Sequence, residues 1–71
     1  MSDASTQELQ ESINELTAYR NRLREDVIGM GQKLKLPQKK IDATLADHPE
    51  LQRIEGILSQ LQEQVGQQQA N

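Results

Sequence analysis

Two apolar stripes, each with the spacing of a helix that packs on another helix, dominate the hydrophobic pattern of this chain. The N-terminal stripe advances in alternating steps of four and three residues, and the C-terminal stripe repeats that alternation after a break. A repeat of about 3.5 residues is typical of helix-to-helix packing. The N-terminal stripe consists of Leu9, Ile13, Leu16, Arg20, Leu23, Val27, Met30 and Leu34, and the C-terminal stripe of Leu51, Ile54, Leu58, Leu61 and Val65.

The first helix is predicted to begin near Thr6 and to follow the N-terminal stripe as far as Leu34. Ser5 and Glu8 fit a capping box, in which each side chain accepts a hydrogen bond from a free backbone N–H at the start of the helix. Residues 1–5 are therefore predicted to be a disordered N-terminus.

Two glycines, Gly29 and Gly31, interrupt the end of this helix and leave two interpretations open. The helix ends at Ile28 and a loop follows, or it continues and the glycines allow two helices to cross closely. We favour continuation, because Met30 and Leu34 stay in phase with the N-terminal stripe even though each helical glycine costs about 1 kcal/mol.

The first clear break is at Pro37, because the residue before a proline avoids the helical region. A short second helix is predicted over residues 38–46. Asp47 is the predicted N-cap of a third helix, with Glu50 completing a second capping box. That helix is predicted to end at about Gln64 or Val65, followed by a glycine C-cap and a polar tail.

These elements predict an all-α fold, an antiparallel hairpin of one long helix and a kinked, two-piece return helix. The short connection around Pro37 makes the return helix run back along the first. We expect one helical-hairpin domain over residues 6–65 and a disordered polar tail over residues 66–71. No segment has the alternation of a β-strand.

The composition suggests that one copy of the chain has too little apolar surface for a self-sufficient core. The chain has 71 residues, 34% of them hydrophobic, and Tyr19 is its single aromatic residue. Small domains bury a smaller fraction of their surface than large ones. We therefore expect self-association into a helical bundle of the coiled-coil type, with a homodimer favoured.

Charge is unevenly distributed along the chain. Residues 1–19 carry a net charge of −4, residues 20–40 carry +5 and residues 41–71 carry −4, for a total of −3. In a hairpin this gathers bases at one end, in a cluster that we call the basic bend. Compensation of helix dipoles is the favoured explanation of this pattern. The alternatives are contact of the basic bend with an acidic partner and head-to-tail contact between the basic and acidic ends of neighbouring molecules. The basic bend consists of Lys33, Lys35, Lys39 and Lys40.

Arg20 and Tyr19 are the unusual residues on the first helix. A charged residue at a stripe position often fixes register at some cost in stability, and Arg20 is expected to pair with Glu15 or Glu55 or to reach water. Tyr19 lies beside the stripe and is expected to pack at the edge of the core, with a role in partner binding as the alternative.

The sequence contains little that predicts catalysis. His48 is the single histidine, there is no cysteine, and the carboxylates do not form a recognised metal or phosphate motif. We therefore predict no enzyme activity, no cofactor and no metal site. The chain also has no apolar run long enough to cross a bilayer, so no membrane insertion is predicted.

The favoured function is that of a non-enzymatic protein–protein interaction module, a small cytoplasmic adaptor or regulatory subunit that uses the two stripes and Tyr19. Its expected partners are a second copy of itself and another protein. The main alternative is binding of RNA or an anionic surface through the basic bend, and a pocket for an apolar small molecule is a further one. DNA binding through the third helix is disfavoured, because that helix has one base and three acids.

Overall fold

A computed structural model describes the backbone of residues 3–69 and the side chains of residues 6–67. Within this range the chain forms three α-helices and no strand: α1 (Asp3–Lys33), α2 (Gln38–Asp47) and α3 (Pro49–Gln69). α1 packs along α3 and, near its own C-terminal end, against α2. The fold is therefore the predicted all-α helical hairpin with a two-piece return helix, with dimensions of 51 × 15 × 15 Å.

The main core lies between α1 and α3 and joins the two stripes within a single chain. Spacing by threes and fours brings the apolar side chains of each helix to one face, and the antiparallel course of α3 sets these faces against each other. Burial of each large aliphatic side chain contributes about 1.5–3 kcal/mol. The buried members are Ile13, Ile54, Leu58 and Val65, and Leu9, Leu16, Leu23 and Leu61 pack against them.

α1 continues through both glycines, as favoured from the sequence, but only one of them lies at a helix crossing. A Cβ atom placed on Gly31 would lie 2.6 Å from Cγ1 of Ile41, so α2 approaches the α1 backbone closely there. A Cβ atom placed on Gly29 would meet no atom within 4 Å. The close approach therefore depends on Gly31 alone.

The bend begins with a Schellman motif at the end of α1. The backbone N–H of Leu36 donates to the carbonyl of Gly31 at 2.9 Å, and the N–H of Lys35 donates to the carbonyl of Gln32 at 3.0 Å. Lys35 has a φ of 58°, in the left-handed region that glycine usually occupies at this position. The motif reverses the chain direction and leads into Pro37, which precedes α2.

The break between α2 and α3 is at His48, and the predicted N-cap at Asp47 is wrong. Asp47 is the last residue of α2, whereas His48 is extended, with φ −72° and ψ 113°. The reason is steric, because Pro49 excludes the residue before it from the helical region. The backbone N–H of Leu51 donates to Nδ1 of His48 at 3.3 Å, so the imidazole caps α3.

The outer ends of α1 and α3 extend beyond their predicted limits. α1 begins at Asp3 rather than near Thr6, and the side chain of Ser5, on which the predicted capping box depends, lies outside the described residues. α3 continues through Gly66 to Gln69. Gly66 is not the predicted C-cap, because it lacks the positive φ of such a cap and a glycine within a helix costs only about 1 kcal/mol.

Candidate interaction surface

Tyr19 and Glu50 connect α1 to the start of α3. The hydroxyl of Tyr19 donates to Oε2 of Glu50 at 3.3 Å, and Nη2 of Arg53 lies 3.0 Å from the other carboxylate oxygen. Glu50 therefore contacts α1 and Arg53 instead of completing the capping box predicted with Asp47. Tyr19 has 43% of its surface exposed, and its hydroxyl joins it to α3.

Arg20 pairs with Glu55, one of its two predicted partners. Nη1 of Arg20 lies 3.4 Å from Oε1 of Glu55, and the pair links α1 to α3 of the same chain. Both side chains reach solvent, so the ion pair contributes less than about 1 kcal/mol. The arginine at the stripe position thus lies at the rim of the core, where its head group reaches both Glu55 and solvent.

The last part of the N-terminal stripe is not covered by α3. Tyr19 contacts Glu50 in the first turn of α3, whereas Gly31, near the end of α1, lies against Ile41 of α2. α2 packs at Gly31, to one side of the stripe, and leaves Met30 and Leu34 with 58% and 63% of their surfaces exposed. Two predicted interface residues are therefore exposed apolar side chains near the bend.

An apolar groove, which we call the bend groove, lies beside these residues between α1 and α2. Its volume is about 330 Å³. The buried Ile41 side chain forms part of its floor, where it contacts Gly31. The Schellman motif brings Leu36 to the groove, facing the last turns of α1. The lining residues are Asp26, Val27, Met30, Gly31, Leu36, Ile41 and Thr44.

Asp26 is the charged residue in the lining of the bend groove, and further charged residues lie in neighbouring depressions. On the α1 side, a shallow depression that shares Asp26 and Met30 with the groove is also lined by Glu25 and Lys33. On the α2 side, a depression that shares Thr44 with the groove is lined by Lys39, Lys40 and Asp47. Along α2, Lys39 and Lys40 are balanced by Asp42 and Asp47, so both signs of charge lie on each side of the groove.

The basic bend does not form one uniform patch. Lys33, Lys35, Lys39 and Lys40 are all exposed, as expected. Lys33, however, shares its part of the surface with Glu25 and Asp26, whereas the other lysines lie at the turn and on α2. The two acids therefore reduce the positive potential on the α1 side of the bend.

The described side chains include no group of three or more His, Asp or Glu residues placed to hold a metal ion. His48 accepts a backbone hydrogen bond at the start of α3 and is half-buried. Across residues 3–69, the three helices lack the combination of length and apolarity that crossing a bilayer requires.

Val27 and Met30 are predictable from the sequence as interface residues, but the groove that they line with Leu36 and Thr44 is not. The groove depends on where α2 crosses α1, which is not a property of either helix alone. One feature of the sequence indicates that Leu36 contacts α1. Leu36 follows the end of α1 and directly precedes Pro37, and an apolar residue just after a helix often packs back on that helix.

The fold and this surface define a small all-α helical hairpin with an uncovered apolar groove at its bend. The chain belongs to the family described as a domain of unknown function (DUF8630), whose model matches residues 7–70. Neither the search of curated proteins nor that of solved structures found a match. The family model covers α1 almost entirely and both pieces of the return helix, so it spans the whole hairpin.

Proposed function

We propose that this protein is a non-enzymatic interaction module, a small cytoplasmic adaptor or regulatory subunit that acts through helix packing. The observation that supports this most directly is the exposure of Met30 and Leu34 at the end of a stripe whose first apolar members, from Leu9 to Leu23, pack in the core. Contiguous apolar surface beside a groove is typical of a protein–protein contact site.

The same surface supports association of the chain with itself. Six apolar residues are buried among the described residues, a small core for a free-standing domain. Covering the exposed end of the stripe adds buried apolar area without a change of fold, at about 25 cal/mol per Å². We therefore propose a homodimer that also binds another protein.

Site-specific photo-cross-linking in the source cell tests the interaction proposal. A photoreactive amino acid at Leu34 is expected to give discrete adducts with itself or with a defined protein, and these adducts should disappear when Met30→Glu is added. The matched control places the same probe at Gln62, an exposed residue of α3. Identical adduct patterns from both positions, or no adduct from Leu34, would contradict the proposal.

A second candidate function is binding of RNA or of an anionic surface by the basic bend, supported by the exposure of all four lysines. Such binding depends steeply on salt, because each phosphate contact releases a counterion. A titration with single-stranded RNA at low and physiological salt tests it. Affinity that is lost at higher salt and in Lys39→Glu favours this function, and a flat salt response rules it out.

A further inference from the structure

Three exposed apolar side chains lie on one broad face of the hairpin, which we call the Tyr19 face. The Tyr19 hydroxyl donates to Glu50, so both residues lie on this face. Ile57 follows Glu50 by about two turns of α3, and Met30 follows Tyr19 by about three turns of α1, so both share the face. Tyr19, Met30 and Ile57 are all exposed. The face therefore has uncovered apolar side chains at its centre and on both sides of it.

The charges that α1 contributes to the Tyr19 face change sign at Tyr19. Glu15 lies one turn before Tyr19 and Arg22 lies one turn after it, and both are exposed. A second copy that runs antiparallel, centred on Tyr19, sets Glu15 of each chain beside Arg22 of the other. The same arrangement sets Asp26, two turns after Tyr19, beside Ser12, whose hydroxyl is a hydrogen-bond donor for a carboxylate.

The charge of the whole hairpin favours the same direction. A cross-section through Tyr19 and Glu50 divides it into a bend half, residues 20–50, and an opposite half, residues 1–19 and 51–71. The bend half has a net charge of +2 and the opposite half a net charge of −5. Two parallel copies would place the two halves of −5 together, whereas antiparallel copies place each of them against a half of +2. Like charges at a contact disfavour a complex.

We infer that the Tyr19 face is the contact surface of a symmetric antiparallel homodimer, with the two-fold axis between the two Tyr19 side chains. This inference rests on the proposed function and names the geometry of its self-association. Tyr19 lies one residue from the midpoint of α1, so the two copies overlap along nearly their full length. A face of 51 × 15 Å covers about 750 Å², close to the roughly 800 Å² that each partner buries in a stable complex.

The same axis brings Ile57 to the bend groove of the partner. Rotation about an axis across the long dimension sets α1 on α1 and the return helix on the return helix, so α3 of one copy faces α2 of the other. Ile57 lies about 10 Å from the axis, away from the bend. Asp26 and Met30, which line the groove, lie about 10–16 Å from the axis on the bend side. Each Ile57 side chain therefore meets the other copy's groove.

Charge reversal with rescue provides the first test, measured by sedimentation equilibrium on the full chain. Glu15→Arg and Arg22→Glu are each expected to weaken the dimer about tenfold, because two-fold symmetry sets two pairs of like charges across the contact. The double variant should recover most of the loss. Arg24→Glu is the matched control, since it makes the same change of charge at an exposed position on the opposite face of α1 and should leave the dimer nearly unchanged.

Rescue separates a charge contact from a general loss of stability, and circular dichroism checks that each variant is folded. If the double variant is no tighter than the weaker single variant, Glu15 and Arg22 of different copies do not meet and the inference is wrong. An Ile57→Glu variant that dimerises like the parent protein would also overturn it, because a charge would then enter the apolar groove without cost.

Disulfide trapping is the second test, and the absence of cysteine from the chain gives it a clean background. A chain with Glu15→Cys mixed with a chain with Arg22→Cys should form a covalent heterodimer under mild oxidation. Each variant alone should not, because the antiparallel arrangement separates a position from its own copy by about 9–12 Å along the axis, beyond the reach of a disulfide. A parallel dimer would give the reverse result.

The outcomes separate this inference from the function on which it rests. A dimer that forms without the 15–22 cross-link retains the interaction module but overturns the geometry named here. A chain that stays monomeric at about 100 µM, well above the usual dissociation constant of a specific dimer, also overturns the inference. In that case photo-cross-links from Leu34 to another protein would still support the proposed function.

Discussion

Gly31 of α1 lies directly against the side chain of Ile41 of α2 at the bend. A Cβ atom on Gly31 would lie 2.6 Å from Cγ1 and 2.9 Å from Cδ1 of Ile41, closer than carbon atoms in contact can be. Ile41 is itself buried, with 3% of its surface exposed. The position of α2, and with it the shape of the bend groove, therefore depends on the absence of a side chain at residue 31.

We expect Gly31→Ala to destabilise the protein by about 1–2 kcal/mol, because the displacement of Ile41 outweighs the gain in helix propensity. The measurement is the free energy of unfolding in urea, followed by circular dichroism at one fixed protein concentration, since dimerisation makes apparent stability depend on concentration. An unchanged or increased stability would show that α2 moves aside without cost.

Gly29→Ala is the matched control and should have the opposite sign. Gly29 is two residues away in the same helix, and a Cβ atom there meets no atom within 4 Å. The variant should gain about 0.5–1 kcal/mol from helix propensity alone. If both alanine variants shift stability in the same direction, the difference in packing between the two glycines is not what controls their effects.

Lys35 is the residue of the bend whose backbone is strained. Its φ of 58° places a residue with a Cβ atom in the left-handed region, at a cost of about 1 kcal/mol relative to glycine. We expect Lys35→Gly to raise the free energy of unfolding in urea by about 0.5–1 kcal/mol. Lys35→Ala removes the same charge but keeps Cβ, so it should give no comparable gain. Equal effects in both variants would assign the change to charge.

The hairpin itself was predictable from local signals. The alternating spacing around Ile13 and Leu58 identifies the faces that pack together, and each side of the core is encoded within one helix. Pro37 and Pro49 mark the two breaks, because the steric effect of a proline on the preceding residue needs no tertiary contact. These signals were sufficient for the order, direction and approximate limits of the helices.

The uncovered part of the stripe was not predictable in the same way. Met30 and Leu34 have the same spacing as the buried members, so periodicity cannot distinguish them. Their exposure follows from the place where α2 crosses α1, which depends on the fit of Ile41 against Gly31. The wrong N-cap prediction at Asp47 has a local cause. Aspartate is a commoner N-cap residue than histidine, but the residue before Pro49 must be extended, and that residue is His48.

Arg20 and Glu55 should be weakly coupled. Their closest atoms are 3.4 Å apart, and both side chains are partly exposed, so we expect a double-mutant cycle with Arg20→Gln and Glu55→Gln to give less than about 1 kcal/mol. The coupling should fall at high salt, where exposed charges are screened. A coupling well above this range, or one that salt does not change, would indicate a pair that is shielded from solvent.

His48 should be replaceable by asparagine but not by alanine. Its Nδ1 atom accepts the backbone N–H of Leu51, the bond that an N-cap side chain makes at the third residue of a helix. Gln52 supports the same junction, since its Nε2 atom donates to the carbonyl of Ala46 at 2.7 Å. We expect His48→Ala to lose about 1 kcal/mol in urea unfolding and His48→Asn to retain most of the stability.

His48→Gln provides the control for the cap, because its amide lies one carbon further from the backbone and does not match the short reach of an N-cap side chain. It should therefore behave like the alanine variant. Since Pro49 remains in all three variants, the residue before it stays extended and the break between α2 and α3 is preserved. Differences in stability among the variants then measure the contribution of the capping hydrogen bond. If the alanine and asparagine variants are equally stable, the side chain at residue 48 does not stabilise the protein through this bond, and water accepts the hydrogen bond from the Leu51 N–H instead.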